Sequence, residues 1–195
     1  MKGIRVWIVV AVAAVAVAAA VLWWAKWRTY HFAAVQEGVL YRDGNRGMRE
    51  FAHAIARGKI RTVVCLVDDE EMSAKGKHEF ADEMQWCQSH GVKIERIPVK
   101  LGGWPTSDDV RHFLSVLSDR QNQPVLVHCA QGVRRTGMMV AAYQQSALGW
   151  DDARCERAIL TFGHSQRTVG DVKKFIEVYD PKTGVVPEGM PIGDE

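Results

Sequence analysis

Short apolar runs alternate with amphipathic segments along most of the chain. Buried strands are predicted where valine, isoleucine and aromatic residues cluster, at residues 39–42, 60–67, 92–99 and 124–128. Apolar residues at helical spacing predict helices over residues 47–57, 71–90, 107–120, 135–148, 151–161 and 168–179. Because strands alternate with helices, we predict an α/β fold with a central, largely parallel sheet flanked by helices.

The N-terminal segment has a different pattern. Residues 6–25 carry no charge, and a helix of that length is about 30 Å long, which matches the thickness of a bilayer core. Tryptophans lie near both ends of the segment, as in the aromatic belts of membrane proteins, at positions 7, 23, 24 and 27. We therefore expect an N-terminal transmembrane helix. A cleaved signal peptide is the alternative, since Lys2 and Arg5 precede the small residues 18–20.

These patterns divide the chain into three parts. We expect a membrane anchor with its flanks in residues 1–30, a globular domain in residues 31–180 and a flexible tail in residues 181–195. The protein would then be a single-pass membrane protein. Basic residues flank the apolar segment on both sides, so the side of the membrane that holds the domain stays open.

Charge argues against nucleic acid as a partner. The chain has 25 Lys+Arg and 23 Asp+Glu, but its first thirty residues contain four basic residues, Lys2, Arg5, Lys26 and Arg28, and no acidic one. The remainder has 21 basic and 23 acidic residues. The domain therefore lacks the overall positive charge that gathers polyanions.

The cysteines and histidines do not predict a metal site. Cys65, Cys87, Cys129 and Cys155 lack the paired spacing of metal ligands, and so do the histidines. Cys65 lies within an apolar strand pattern and is expected in the core. If it lay near Cys129, it could form a disulfide that protects Cys129 from further oxidation. We expect no metal and no cofactor.

Residues 128–137 read His-Cys-Ala-Gln-Gly-Val-Arg-Arg-Thr-Gly and directly follow the predicted strand 124–128. Five residues separate Cys129 from Arg135, which is enough for a loop to curl around one tetrahedral oxyanion with its N–H groups inward. The guanidinium of Arg135 can close the ring, and the N-terminus of the following helix adds a favourable dipole. The sequence therefore predicts a phosphate-binding loop.

The side chains of this loop predict covalent chemistry on phosphorus. Cys129 would act as a thiolate nucleophile, and water would hydrolyse the resulting phosphocysteine. Arg135 would bind the phosphate and stabilise the transition state. Thr136 is expected to donate a hydrogen bond to the sulfur, and His128 is expected to order the loop. Substrate contacts are expected along the loop, from Ala130, Gln131, Gly132, Val133, Arg134 and Arg135.

These residues resemble the His-Cys-x5-Arg-Thr-Gly signature of Cys-dependent protein tyrosine and dual-specificity phosphatases, and the flanks are similar to the small atypical dual-specificity type. The similarity covers roughly residues 35–180, with residues 38–42 like the entry strand of that family and residues 60–66 like its first buried strand. The resemblance implies metal-free hydrolysis of phosphate monoesters, in phosphorylated proteins or small phosphate esters. Rhodanese-like and arsenate-reductase-like enzymes also place a cysteine in an anion-binding loop and are the enzymatic alternatives.

One departure from the family concerns the proton donor. Such phosphatases usually carry an Asp general acid on a mobile loop before the nucleophile, but the corresponding residues 97–105 contain no carboxylate. The sequence offers Asp69, after the strand 60–67, and Asp108, whose place in a first helical turn also suits a partner of the helix dipole. The missing acid motivates a non-enzymatic alternative, a membrane-tethered pseudophosphatase that binds phosphorylated partners without turning them over.

Overall fold

The computed structural model describes residues 2–27, 31–44, 47–74, 79–162 and 166–188. Within these residues the chain folds as an α/β structure with five strands and eight helices. They are α1 (Lys2–Trp27), β1 (Ala33–Gln36), β2 (Leu40–Gly44), α2 (Met48–Gly58), β3 (Thr62–Cys65), α3 (Asp69–Ser73), α4 (Glu79–Ser89), β4 (Lys93–Arg96), α5 (Ser107–Ser118), β5 (Val125–Cys129), α6 (Arg134–Leu148), α7 (Asp152–Ile159) and α8 (Gln166–Val178).

The five strands form one sheet in the order β1-β2-β5-β3-β4. Strands β2, β5, β3 and β4 run parallel to one another, and β1 pairs with β2 at the edge of the sheet in the antiparallel direction. The register places Gly44 beside Cys129 and Cys65 beside His128. The central strand β5 therefore ends, together with β2 and β3, at the edge where a parallel α/β sheet binds its ligands.

Helices cover both faces of the sheet, which confirms the predicted fold class. Alternate strand residues point to opposite faces, so Val64 and Val127 pack with Phe113 and Met138 in one cluster. Residues one position away, such as Leu126, pack with α2 and α4 in a second cluster. Burial of both faces explains why the sequence of β5 is apolar without alternation.

The structure differs from the prediction in three places. The helix expected over residues 71–90 is present as α3 and α4, because Ala74 takes an extended conformation (φ −64°, ψ 135°) that ends α3. Strand β1 has no counterpart in the prediction, since it is short and its burial alternates between half-buried and exposed. The tail expected from residue 181 also packs in part. Val186 is buried, and Ser107 donates to its carbonyl and accepts from its N–H.

Helix α1 begins the chain with exposed apolar side chains, among them Val12, Val15 and Leu22. Among the described residues, no helix is both long enough and apolar enough to cross a membrane. The transmembrane helix predicted from residues 6–25 is thus not confirmed.

Candidate active site

The loop predicted to bind phosphate joins the end of β5 to the start of α6. Gly132 adopts a positive φ of 67°, and a side chain there would place its Cβ 2.3 Å from the carbonyl oxygen of Asp43. In the opposite direction, a Cβ on Gly44 would lie 2.5 Å from the carbonyl oxygen of Gln131. The loop therefore sits in direct backbone contact with the end of β2, and both positions require glycine.

Carbonyl groups of this loop point away from its centre and have partners behind it. Arg42 donates from Nη2 to the Gly132 carbonyl at 2.6 Å, and His31 Nδ1 lies 2.9 Å from the Gln131 carbonyl oxygen. Arg42 is buried and stacks 3.8 Å over the ring of Phe162. Because these carbonyls face outward, the intervening N–H groups are free to face the anion site.

Cys129 lies at the centre of the loop. Its Sγ accepts a hydrogen bond from the Gly132 N–H at 3.2 Å. Burial alone would raise the pKa of the Cys129 thiol, but the charge of Arg135 and hydrogen-bonding groups of Thr136 and Gly132 outweigh it and lower the pKa. The geometry thus favours the thiolate, which is the nucleophilic form.

Arg135 is buried and held in place by an acidic partner that the sequence did not indicate. Its guanidinium makes a two-pronged contact with Glu71, at 2.5 Å from Nη1 and 3.2 Å from Nη2. Nη1 also donates to the carbonyls of Leu66 and Val99, at 3.2 Å and 3.1 Å. These contacts leave the Nε hydrogen and the second Nη2 hydrogen available as donors. The two lie on one edge of the guanidinium, which can bind two phosphate oxygens.

Glu71 is itself positioned through Asp68. The Asp68 carboxylate caps α3 by accepting from the Glu71 N–H at 2.7 Å, and it accepts from the Leu101 N–H at 2.7 Å. Burial opposes ionisation, but these N–H groups and the charge of Arg135 lower the pKa of Asp68. Asp68 is therefore an ionised link between α3 and the segment 98–105.

We expect Glu71→Gln to lower kcat about tenfold, with little change in KM, because a neutral amide holds the Arg135 fork less firmly and small misplacements of catalytic groups are costly. Steady-state kinetics with an aryl phosphate measure this. Glu70→Gln is the matched control, since Glu70 is the exposed neighbour on the same helix. Equal kinetics of the two variants would contradict the positioning role of Glu71.

The other predicted substrate contacts are arranged differently. Arg134 donates from Nε to Asp171 at 2.7 Å and from Nη1 to the Gly103 carbonyl at 3.0 Å, so its charge is tied to α8 and to the segment 98–105. Gln131 is exposed, Ala130 is half-buried and Val133 is buried. Arg135 is thus the cation of the loop whose charge lowers the pKa of the Cys129 thiol.

His128 lies on the other side of the sheet from Cys129. The ring is fully buried, 5.9 Å from the ring of Phe51, and Nε2 is 3.5 Å from a carboxylate oxygen of Glu83. Burial is the main cause that lowers the pKa of His128 to about 4, and the charge of Arg135 acts in the same direction. A neutral, buried imidazole is consistent with the predicted role in ordering the loop.

Both predicted general acids form ion pairs with arginines outside the phosphate-binding loop. Asp69 forms an ion pair with Arg96 at 2.6 Å, and its side chain is 77% exposed. Asp108 pairs with Arg111 on the surface. It lines a groove between the segment 98–105, the start of α5 and residues 185–188.

We expect Asp69→Asn and Asp108→Asn each to change kcat/KM less than about threefold, because both carboxylates are largely exposed, at 77% and 90%, and exposed ion pairs contribute little. An alkyl phosphate is the informative substrate, since its poor leaving group depends on a proton donor. A loss of about 100-fold or more for one variant, confined to the alkyl substrate, would instead identify that residue as the general acid.

Sequence reasoning missed four residues around the loop. They are His31, Arg42, Asp43 and Glu71, which lie outside the motif. Burial is the main cause that raises the pKa of Asp43 to about 8, so this carboxyl at the end of β2 is largely protonated near neutral pH. The available signal was weak. Arg42 and Asp43 are adjacent charges at the end of a predicted strand, where a parallel sheet collects functional residues.

Comparisons with known proteins agree with this geometry. A family model described as "DSP-PTPase phosphatase fused to NAD+ Kinase" matches residues 31–178. Inositol diphosphatase DSP1 of rice (Oryza sativa subsp. japonica) is 25% identical over 154 residues, which are 77% of this chain and 64% of the relative. The chain therefore spans less than two thirds of that relative's length.

Solved structures share the fold. The core catalytic domain of the PP-IP phosphatase SIW14 from S. cerevisiae, in complex with citrate, has a TM-score of 0.64 and 21% identity, with 78% of this chain and 87% of that chain covered. A cysteine-to-serine variant of P. aeruginosa TpbA in complex with pTyr has a TM-score of 0.63 and 19% identity, over 80% of this chain and 88% of that one.

Proposed function

Because the chain belongs to the DSP-PTPase family of phosphatases, we propose that it hydrolyses phosphate monoesters through a phosphocysteine intermediate on Cys129. The observation that carries the proposal is the arrangement of one buried thiol, one buried guanidinium and an inward-facing N–H group in a single loop. Gly132 N–H donates to Cys129 Sγ, and Arg135 lowers the pKa of the same sulfur. Such a loop both binds a phosphate dianion and attacks it.

The reaction proceeds in two displacements on phosphorus. The Cys129 thiolate forms an S–P bond while the P–O bond to the leaving group breaks, and Arg135 with the loop N–H groups stabilises the charge on the phosphoryl oxygens. Water then attacks phosphorus, the S–P bond breaks, and inorganic phosphate leaves with the thiolate restored. The charge of Arg135 favours departure of the sulfur as an anion in this second step.

The proposed substrates are phosphorylated proteins, with phosphotyrosine first and phosphoserine or phosphothreonine next. The charges around the loop support substrates with one phosphate. Arg134 is tied to Asp171 and Gly103, and neighbouring Ala130 and Val133 are neutral. An aryl leaving group also makes the least demand on a proton donor. Relatives with inositol diphosphatase names make an inositol pyrophosphate the competing substrate class.

Phosphate release from a substrate panel tests this proposal. The panel contains a phosphotyrosine peptide, a phosphothreonine peptide and an inositol pyrophosphate, each incubated with the reduced protein beside Cys129→Ser. We expect the highest kcat/KM for the phosphotyrosine peptide. A preference for the inositol pyrophosphate would overturn the proposed substrate class but keep the chemistry. Phosphopeptide binding without turnover of any substrate would overturn the enzyme and favour the pseudophosphatase.

We also propose that α1 attaches the domain to a membrane. The support is its row of exposed apolar side chains, of which Val12, Val15 and Leu22 are 64%, 69% and 71% exposed. Large exposed apolar patches are uncommon on soluble monomers and mark sites that bind a protein or a membrane. In a membrane flotation assay, we expect the full chain to rise with the vesicles and the Val15→Lys/Leu22→Lys variant to stay behind. Equal flotation of both proteins would contradict the proposal.

A further inference from the structure

Three potential metal ligands meet behind the phosphate-binding loop, on the side of the sheet opposite Cys129. They come from three elements: Cys65 at the end of β3, Glu83 on α4 and His128 on β5. One ligand atom from each lies within 4.8 Å of the other two. All three residues are at most 1% exposed. Nothing in the proposed phosphatase chemistry uses Cys65 or Glu83.

We propose that Cys65, Glu83 and His128 form a binding site for a divalent transition-metal ion of the zinc type. A thiolate, an imidazole and a carboxylate form a donor set that Zn²⁺ binds, and three protein ligands leave a fourth position for water. The site would be separate from the phosphate-binding loop. Its ion would tie α4 to β3 and to β5, the strand that leads into that loop.

The spacing fits one ion. Tetrahedral zinc with nitrogen and oxygen ligands at their usual bond lengths separates these two atoms by about 3.4 Å. His128 Nε2 and the Glu83 carboxylate oxygen are 3.5 Å apart. The sulfur of Cys65 lies within 4.8 Å of both, whereas a bound ion requires about 3.6 Å. The sulfur therefore has to approach the other two ligand atoms by at most about 1.2 Å to complete the set.

A second observation is the state of the His128 ring. Nε2 is fully buried and has no hydrogen-bond partner in the described structure, although it points towards the carboxylate of Glu83. Buried polar nitrogen atoms almost always have a partner, because leaving one without any costs free energy. A metal ion would satisfy this nitrogen. Around the cluster, Val67, Phe80 and Met72 supply an apolar surround that keeps water away and strengthens coordination.

Binding replaces the thiol proton of Cys65 by the metal, and that proton passes to the buffer. No electron transfer is involved. Because the ligands are buried, the ion must be supplied while the protein opens or folds, and a chelator should remove it slowly. Zinc held by Cys129 should be removed by a chelator faster, since the phosphate-binding loop takes up its ligands from solvent.

Metal content and a cobalt spectrum test the site on the full-length, reduced protein. After expression with added Co²⁺ and gel filtration, we expect one equivalent of cobalt and a sulfur-to-cobalt charge-transfer band in wild type and in Cys129→Ser. Cys65→Ser and Glu83→Gln should lose at least about nine tenths of the bound cobalt, and Cys65→Ser should lose the band. Cys87→Ser is the matched control, because Cys87 is another buried free cysteine.

The cobalt content and spectra of these variants distinguish the proposed site from binding at the active-site loop. Loss of the band in Cys129→Ser together with its retention in Cys65→Ser would assign the ion to the active-site loop and overturn the proposal. A wild-type protein without cobalt would overturn it as well. Should Cys65→Ser fail to fold by circular dichroism, Glu83→Gln keeps the shape of the cluster and carries the test. Phosphatase activity is not the readout, so failure here leaves the proposed function standing.

Discussion

Replacing Cys129 by serine is expected to abolish phosphate release, with turnover slowed by at least about a thousandfold, because loss of a covalent nucleophile is among the costliest changes to an active site. The charge of Arg135 and hydrogen bonds from Thr136 and Gly132 lower the pKa of the Cys129 thiol against the effect of burial. A serine hydroxyl ionises far less readily, so the same surroundings cannot make it an effective nucleophile. Initial rates with an aryl phosphate, measured to the limit of detection, give the result.

Binding should survive this substitution. The Gly132 N–H and the Arg135 fork remain in place, so phosphopeptide affinity measured by calorimetry should change little. Cys155→Ser provides the comparison, since Cys155 is equally buried and lies on α7, away from the loop. If Cys129→Ser turned over substrate at the rate of Cys155→Ser, Cys129 would not be the nucleophile.

The second large effect is expected for Arg135→Lys, which should slow turnover by about a hundredfold to a thousandfold. A lysine ammonium carries the charge but cannot make two parallel contacts to a phosphate while also meeting both oxygens of Glu71. It would further leave the carbonyls of Leu66 and Val99 without their shared donor. Single-turnover kinetics separate this loss in chemistry from weaker binding.

Arg157→Lys makes the same exchange at an exposed position on α7 and should leave kcat unchanged. Thermal unfolding of both variants shows whether the loss comes from the site or from the fold. Near-normal turnover of a stably folded Arg135→Lys protein would remove the proposed role of the guanidinium in the transition state.

The local features of the site were predictable from the sequence because its parts are contiguous. A strand, a loop with Cys129 and Arg135, and a helix follow one another within residues 124–148, and each has its own apolar or glycine signal. The α/β class followed from the same periodicity over the whole chain. Residue types and their spacing therefore suffice to predict a site whose residues lie in one contiguous segment.

Contacts from distant segments were not predictable. Glu71 reaches Arg135 across 64 positions, and His31 reaches the Gln131 carbonyl across 100. The Cys65, Glu83 and His128 cluster likewise joins three elements whose order in the sheet is needed to see it. A one-dimensional search for metal spacing fails there, since the ligands are brought together by strand pairing rather than by sequence distance.

The contact between His31 and the Gln131 carbonyl sets a practical limit on where the domain is cut for expression. His31 also packs edge-on against Phe162, and the guanidinium of Arg42 stacks on the same ring. In a recombinant fragment that starts after residue 31, water would replace the imidazole at the Gln131 carbonyl. The Phe162 ring would also lose its contact with His31. Kinetic constants measured on such a fragment would describe a different loop from that of the intact chain.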